Sequence, residues 1–156
     1  MFTEYWGEPE KTLNACQNGW YLTGDRAVRD PDDYFWFKGR ADDVIKSSDF
    51  RIGPAEVEST LQKHPAVCES AVVGKPDKVR GQLVKAFVVL KEGYEPNPNL
   101  AKEIQRFCQG ISATYRWPRE IEFVSSLPHT ASGKLIRSEL RELEKHRSEE
   151  NAKASH

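Results

Sequence analysis

The sequence predicts an α+β fold, in which a small mixed sheet is flanked by about three helices and preceded by a β-hairpin. One observation is a pair of β-branched runs at residues 67–73 and 84–90, which are typical of strands. Another is helical spacing of apolar residues in segments that begin near Pro54, Leu100 and Ile136. Strands and helices therefore share a chain of 156 residues, a length that suggests about one domain.

The first third of the chain predicts two hairpins. Residues 19–25 have the pattern of a short strand closed by a turn, and an aromatic strand at 34–37 follows the turn-forming segment 30–33. We expect this aromatic run to pack in the core. In the second hairpin, residues 44–46 and 50–52 flank a polar tip at 47–49.

Helices and strands alternate in the remainder of the chain. Pro54 occupies the favoured first turn of a helix, and His64-Pro65 ends that helix. The two β-branched strands are joined by a loop at 76–81 and followed by a surface loop at 93–99. The last elements are a helix at 100–111, a short strand at 121–124 and a helix that begins near Ile136.

Composition excludes several classes of function. The formal net charge of −1 gives no basic field for nucleic acid or a membrane surface. The longest clean apolar run, residues 86–90, is too short to span a bilayer. The N-terminal segment has the pattern of neither a signal peptide nor a transit peptide. The three cysteines are widely spaced and form no metal-type pair, which favours a reducing compartment and predicts no metal site.

The segment Thr130-Ala131-Ser132-Gly133-Lys134 carries the most chemical information. A lysine on a loop of small residues is a mobile point charge, which suits a phosphate or carboxylate oxygen. The alternative is an ordinary solvated turn, since Ser-Gly-Lys also occurs in turns without a function.

Other candidates also have two interpretations. Asp25 follows a strand end, where its carboxylate suits the hydroxyls of a ribose or caps a turn. Arg40 suits a phosphate or pairs with a neighbouring acid, Asp42 or Asp43. Arg80 and the aromatic and guanidinium groups of residues 115–119 suit a nucleotide, or form ordinary loops.

Four segments occur together in a telling order. They are Gly19-Trp-Tyr-Leu-Thr-Gly-Asp25, Gly39-Arg-Ala-Asp-Asp-Val-Ile-Lys46, Arg51-Ile-Gly-Pro-Ala-Glu-Val-Glu58 and Thr130-Ala-Ser-Gly-Lys134. This order resembles the C-terminal part of the adenylate-forming superfamily, which comprises acyl-CoA synthetases, firefly luciferase and peptide-synthetase adenylation domains. Residues 34–37, Arg80-Gly81 and 84–90 look most like the mitochondrial medium-chain acyl-CoA synthetases.

The resemblance implies a ligase that works in two steps. A medium-chain carboxylic acid attacks ATP to give an acyl-adenylate, and the CoA thiol then displaces AMP. A large N-terminal domain holds ATP and the acid, and a small C-terminal lid domain rotates between the steps. By this resemblance residues 1–38 are a remnant of the large domain, residues 39–146 are the lid domain and residues 147–156 are a disordered tail.

The resemblance also implies roles for individual residues. Lys134 would be the catalytic cation that bridges the acid and the α-phosphate. Asp25 and Arg40 would bind the nucleotide, and Asp42 would be the hinge. The residues implied for CoA are Ser48, Asp49, Phe50, Arg51, Arg80, Trp117, Pro118 and Arg119. Asp49 stands where the family usually has glycine. Mg would be bound with ATP and not by residues of this chain.

The missing large domain limits the expected activity. The phosphate loop and the acid pocket of the family belong to that domain, so we expect the isolated chain to be inactive, as a truncated isoform or excised domain. The family resemblance implies the mitochondrial matrix, whereas the chain alone, without a transit peptide, would be cytosolic. The alternative hypothesis is a non-catalytic module that binds CoA or a nucleotide, or that docks onto a full-length synthetase.

Overall fold

The structure, a computed structural model, describes residues 3–112 and 115–154. It divides into two compact units, and the division falls between Asp42 and Asp43. A division of this kind does not test where a family domain begins or ends. The boundaries predicted after residues 38 and 146 therefore stay predictions.

The first unit contains one helix and two small antiparallel sheets. In chain order its elements are α1 (Pro9–Ala15), β1 (Cys16–Gln17), β2 (Trp20–Tyr21), β3 (Asp25–Arg29) and β4 (Phe35–Arg40). Strand β1 pairs with β2, and β3 pairs with β4. The predicted first hairpin is wrong in one respect, because the partner of the aromatic strand is Asp25–Arg29 and not the strand at 19–25. The turn residues at 30–33 connect β3 to β4, so the hairpin is formed by the two strands directly before and after that turn.

The aromatic run of β4 does not form a core within this unit. Phe35, Trp36 and Phe37 are 73%, 60% and 67% exposed. The core position predicted for them is therefore wrong for the structure described. A two-stranded sheet offers no second layer to cover either of its faces.

The second unit is an α+β sandwich around a five-stranded mixed sheet, which confirms the predicted fold class. In chain order its elements are β5 (Ile45–Ser47), β6 (Phe50–Ile52), α2 (Pro54–Leu61), β7 (Val67–Asp77), β8 (Gly81–Leu90), α3 (Pro98–Ile111), β9 (Glu120–Phe123) and α4 (Arg137–Ala154). The strands run in the order β6-β5-β8-β7, and β9 pairs in parallel with β8.

The antiparallel pair β7–β8 contains the two longest strands described in this unit. Its register runs from Val67 opposite Leu90 to Asp77 opposite Gly81. The strands therefore extend into the loop predicted at 76–81 and leave only a short turn. One face of the sheet packs with α2 and α3 around Leu61, Val72, Val88 and Ile104, and a smaller apolar cluster on Phe87 includes Leu140 of α4.

Helix α4 continues beyond the point where the sequence predicts a disordered tail. It is helical to Ala154, and residues 155–156 of the predicted tail lie outside the described residues. The extension has a physical reason, because the Arg147 guanidinium donates to Glu122 at 2.8 Å and to Glu144 at 3.0 Å. Across residues 3–112 and 115–154, no helix has the length and apolar character to span a membrane.

Candidate functional site

The loop that carries Lys134 is a closed hydrogen-bonded structure. We call residues 130–134 the lysine loop. The amide of Thr130 donates to the Lys134 carbonyl at 2.8 Å, and the Lys134 amide donates to the Thr130 hydroxyl at 3.0 Å. Gly133 has a φ of +79°, a left-handed conformation that favours glycine. The loop therefore has a defined backbone, and the exposed Lys134 side chain makes no ion pair within the described part of the chain.

Its N-terminal end is held against strand β7. His129 and Leu135 form an antiparallel bridge at the base of the loop. The His129 ring lies 2.7 Å from a carboxylate oxygen of Glu69, through Nε2, and 2.9 Å from the Leu127 carbonyl, through Nδ1. The loop is therefore fixed near the end of β7 at which the strand begins.

The predicted CoA tip lies on the hairpin β5–β6, at another end of the sheet. Ser48 has a φ of +52°, and its amide donates to the Arg80 carbonyl at 2.8 Å. Asp49 does not have positive φ. An aspartate at the position where the family usually has glycine thus imposes no left-handed strain in this backbone.

A pocket of about 190 Å³ lies beside this tip. It is lined by Ser47, Ser48, Phe50, Arg80, Val84, Tyr115 and Arg119, and we call it the tip pocket. The Phe50 and Tyr115 rings are stacked with centroids 4.1 Å apart and planes inclined by 6°. Tyr115 was not among the predicted site residues, although it begins the aromatic and guanidinium segment at 115–119 that indicated a nucleotide.

Two guanidinium groups give the tip pocket a positive character. Burial lowers the pKa of Arg119 from its ordinary value, and the positive charge of Arg80 contributes a smaller effect in the same direction. The Arg119 guanidinium also stacks on Trp117, at 3.7 Å from the ring centroid. An anion bound here would relieve the repulsion between the two cations, and the stacked rings supply flat apolar faces.

The structure brings only part of the predicted CoA set to this pocket. Ser48, Phe50, Arg80 and Arg119 line it, whereas Asp49, Arg51, Trp117 and Pro118 do not. Trp117 instead packs partly against the main core. The Pro118 carbonyl accepts from Gln105, and the Arg51 guanidinium lies 3.4 Å from the Phe50 carbonyl.

The lysine loop and the tip pocket lie toward opposite ends of the β7–β8 pair. Glu69, which holds the loop, is opposite Val89, whereas the turn that carries Arg80 follows Asp77. Eight residues of strand separate Glu69 from Asp77, a distance of about 26 Å at roughly 3.3 Å per residue. The second unit therefore presents two separate positive sites.

The residues predicted to bind the nucleotide meet in the first unit. Asp25 and Arg40 are opposite each other in the β3–β4 register. The Arg40 guanidinium lies 3.4 Å from Asp25 and 3.2 Å from Asp42, and it donates to the Thr23 carbonyl at 2.8 Å. Burial opposes the charge, but these two carboxylates raise the pKa of Arg40. A Cβ on Gly24, which has φ +74°, would lie 2.8 Å from this guanidinium.

No group of three or more His, Cys, Asp or Glu side chains in the described ranges has the arrangement of a metal site. The carboxylates that do cluster, such as Glu120 and Glu122, pair with the cations Lys75 and Lys85. Glu120 and Glu122 are thus already paired with cations and do not offer a free set of metal ligands.

Comparison with protein families gives one match that covers about half of the chain. Residues 56–134 match the C-terminal domain of AMP-binding enzymes. This segment runs from within helix α2 to Lys134, so it includes the lysine loop and four of the residues that line the tip pocket, Arg80, Val84, Tyr115 and Arg119.

Individual relatives are similar over nearly the whole chain. The mitochondrial acyl-coenzyme A synthetase ACSM5 of Rattus norvegicus is 52% identical over 92% of this chain. The 4-hydroxybutyrate–CoA ligase 1 of Metallosphaera sedula is 53% identical over 92%. The chain spans about a quarter of the length of these curated relatives.

A solved structure shows the same architecture. The anthranilate CoA ligase AuaEII in complex with anthranoyl-AMP is 43% identical, with a TM-score of 0.79 over 93% of this chain and 28% of that one. The similarity therefore extends across the described elements of both units.

Proposed function

This chain belongs to the AMP-binding enzyme C-terminal domain family, and from that premise we propose that it is the C-terminal part of an ATP-dependent medium-chain acyl-CoA synthetase. The complete enzyme would join a carboxylic acid to ATP, form an acyl-adenylate, and transfer the acyl group to CoA. The names of the relatives support a CoA ligase, and several of them are named mitochondrial. We propose the mitochondrial matrix for the complete enzyme on the same basis.

The observation that carries this proposal is the separation of two cationic sites on one sheet. Two chemical steps need different groups at one substrate. A lid with a lysine near one end of β7 and a basic pocket near the other end, at strand positions about 26 Å apart, supplies one set of groups for each step. Rotation of the lid at Asp42 would exchange the two sets. The geometry of the two sites supports these roles.

Each predicted residue has a chemical task in this scheme. Lys134 would stabilise the charge that develops at the α-phosphate during adenylate formation. Asp25 would accept hydrogen bonds from the ribose hydroxyls, and Arg40 would contact the nucleotide. At the tip pocket, Arg80 and Arg119 would bind the phosphates of CoA.

Of the remaining residues proposed for CoA, Ser48 and Phe50 line the tip pocket, and Asp49, Arg51, Trp117 and Pro118 lie within two residues of lining residues in the sequence. Mg would be bound together with ATP and would screen the phosphates. The ligands of Mg would come from the nucleotide and the N-terminal domain and not from this chain. The chain does not determine the acid. Its identity to the 4-hydroxybutyrate–CoA ligase 1, which is named for its acid, is within one percentage point of its identity to ACSM5, which is named only for acyl groups in general.

A chimera tests the two-site assignment. This chain would replace the corresponding C-terminal quarter of rat ACSM5, and hexanoate would be the acid. We expect Lys134→Ala to lower ATP–pyrophosphate exchange about a hundredfold, as for the loss of a transition-state donor. Thioester formation from supplied hexanoyl-AMP and CoA should stay within about twofold of the parent.

Arg80→Ala should have the opposite effect. Loss of one charged contact to CoA predicts a rise of roughly tenfold in the KM for CoA, with exchange little changed. Lys145→Ala is the matched control for Lys134, because Lys145 is an exposed lysine of α4 without an ion pair in the described ranges. A chimera without exchange activity, or variants that impair both steps equally, would contradict the proposal.

The isolated chain has a second candidate function, which is weak binding of CoA without catalysis. The observation in its favour is that the tip pocket is built from residues of the second unit alone. Titration calorimetry of the purified chain with CoA and with ATP tests it. Submillimolar CoA binding that Arg119→Ala abolishes would support a binding module, and acyl-CoA synthesis by the lone chain would refute the predicted inactivity.

A further inference from the structure

We infer that the lysine loop is positioned by two side-chain anchors, His129 on Glu69 and Arg137 on Glu58, one at each end of the loop. This inference rests on the proposed function for its catalytic consequence, but the anchors themselves are a property of this chain. His129 precedes the loop directly, and Arg137 begins α4 three residues after Lys134. They would be positioning residues, since they act on the substrate only through Lys134.

The C-terminal anchor is a buried forked ion pair. Arg137 donates through Nε to Glu58 Oε1 at 2.9 Å and through Nη2 to Glu58 Oε2 at 2.6 Å. Glu58 is 7% exposed, and it also accepts from the backbone amide of Val72 at 2.9 Å. Two parallel hydrogen bonds fix the orientation of the guanidinium as well as its distance. The start of α4 is thereby fixed to both α2 and β7.

Asp43 is a second carboxylate partner of Arg137 at the C-terminal anchor. Asp43 accepts from Arg137 at 3.3 Å and also pairs with Arg141 one turn further along α4. Its side chain is 10% exposed. Because Asp43 is the first residue of the second unit, the same arginine connects the start of that unit to the helix that follows the lysine loop.

The N-terminal anchor differs in its chemistry. The His129 ring lies between the Glu69 carboxylate, 2.7 Å from Nε2, and the Leu127 carbonyl, 2.9 Å from Nδ1, and both of these groups only accept hydrogen bonds. Arginine at position 129 would keep a donor for Glu69, whereas alanine would remove it.

The two anchors have one geometric consequence. Strand β7 receives both, through the Glu69 side chain and through the Val72 amide that holds Glu58. Lys134 thus extends from a loop whose two ends are fixed to the same strand. Loss of either anchor should loosen the loop while the sheet stays folded, and it should leave the distant tip pocket unchanged.

Amide hydrogen exchange of the full 156-residue chain tests the anchors without any assumption about activity. We expect His129→Ala and Arg137→Lys each to accelerate exchange of the Lys134 and Gly133 amides about tenfold, with the Phe87 amide of the core unchanged. His129→Arg should restore the slow exchange. His146→Ala and Glu139→Gln, on the exposed surface of α4, are the matched controls.

The chimera then tests the catalytic consequence. His129→Ala should lower ATP–pyrophosphate exchange by about tenfold or more, because small displacements of a catalytic group are costly. Thioester formation from hexanoyl-AMP should be unaffected, which a general loss of stability would not allow. Unchanged loop exchange in both variants would refute the anchors. A looser loop with full adenylation activity would refute their positioning role, and a chimera inactive before any substitution would refute the proposed function alone.

Discussion

Lys85 provides the sharpest test of what holds the second unit together. Lys85 is 2% exposed, and its ammonium group lies within 3.0 Å of three carboxylates. Glu144 of α4 is fully buried, at 2.8 Å, and Glu122 and Glu120 of β9 lie at 2.7 and 3.0 Å. Lys85→Met would keep the shape of the side chain and remove the charge.

The magnitude follows from what remains after the substitution. Removal of one partner from a buried ion pair typically costs about 3–5 kcal/mol, because the other charge stays buried without compensation. The second carboxylate oxygen of Glu144 is already buried without a hydrogen-bond partner, so the loss of Lys85 should be costly. Arg147, at 3.0 Å, would remain as a partner and would limit the cost. We therefore expect a loss near the lower end of this range, about 3 kcal/mol in the free energy of unfolding.

Two further variants show whether the reasoning is correct. Lys75→Met removes a cation from the same network, but Lys75 and its partner Glu120 are 31% and 35% exposed. This partly exposed pair, about one third open to solvent, should contribute less than about 1 kcal/mol. The double variant Lys85→Met/Glu144→Leu replaces the buried pair by apolar groups and should recover most of the loss of stability.

Urea unfolding followed by circular dichroism measures these differences. With a slope of roughly 1–3 kcal/mol per molar, Lys85→Met should lower the midpoint by about 1 M or more. A loss of less than about 1 kcal/mol would refute the idea that Glu144 depends on Lys85. An equal loss for Lys75→Met would show that burial does not determine the strength of these pairs.

Two other predictions concern pH and the lysine loop. Burial opposes ionisation of Glu122, but hydrogen bonds from Lys85 and Arg147 lower its pKa below the usual 4.5, so its stabilisation should be full above about pH 4.5 and be lost as the pH falls through the lowered pKa. Urea midpoints between pH 7 and 3 measure this loss, which should shrink in Lys85→Met, and a midpoint independent of pH would contradict it. Gly133→Ala should cost about 1–2 kcal/mol, because φ is +79° although the space around a new Cβ is open. Gly110→Ala in helix α3 is its control and should stabilise by about 0.5–1 kcal/mol, and equal effects on the urea midpoint would contradict the backbone argument.

Local signals predicted much of the second unit from the sequence. Pro54 begins α2 and the polar tip joins β5 to β6, as expected, because each depends on a few adjacent residues. The predictions failed where a partner distant in sequence decides the outcome. The aromatic strand β4 was given the wrong partner strand and the wrong environment, since neither pairing nor burial is contained in the run itself.

The same limit applies to the candidate site. Arg80 and Arg119 were recognisable as a pair of cations beside aromatic residues, and the structure brings them to one pocket. The anchors of the lysine loop were not recognisable, because His129 and Glu69 are 60 residues apart and Arg137 and Glu58 are 79 apart. A charged residue between apolar neighbours in a strand, such as Lys85, is the one signal in the sequence that such a buried network leaves.

The position of Lys85 also connects stability to the two sites. It lies opposite Val73 in the β7–β8 pair, between Glu69 at one end and Asp77 at the other. The charge network there joins α4 to β8 and β9, and α4 begins at Arg137, where the lysine loop is anchored. A change at either end of the sheet should therefore impair one site, whereas a change at Lys85 should loosen the support of both. If the two ends act as parts of one rigid lid, Lys85→Met will lower the rates of both ATP–pyrophosphate exchange and thioester formation in the chimera.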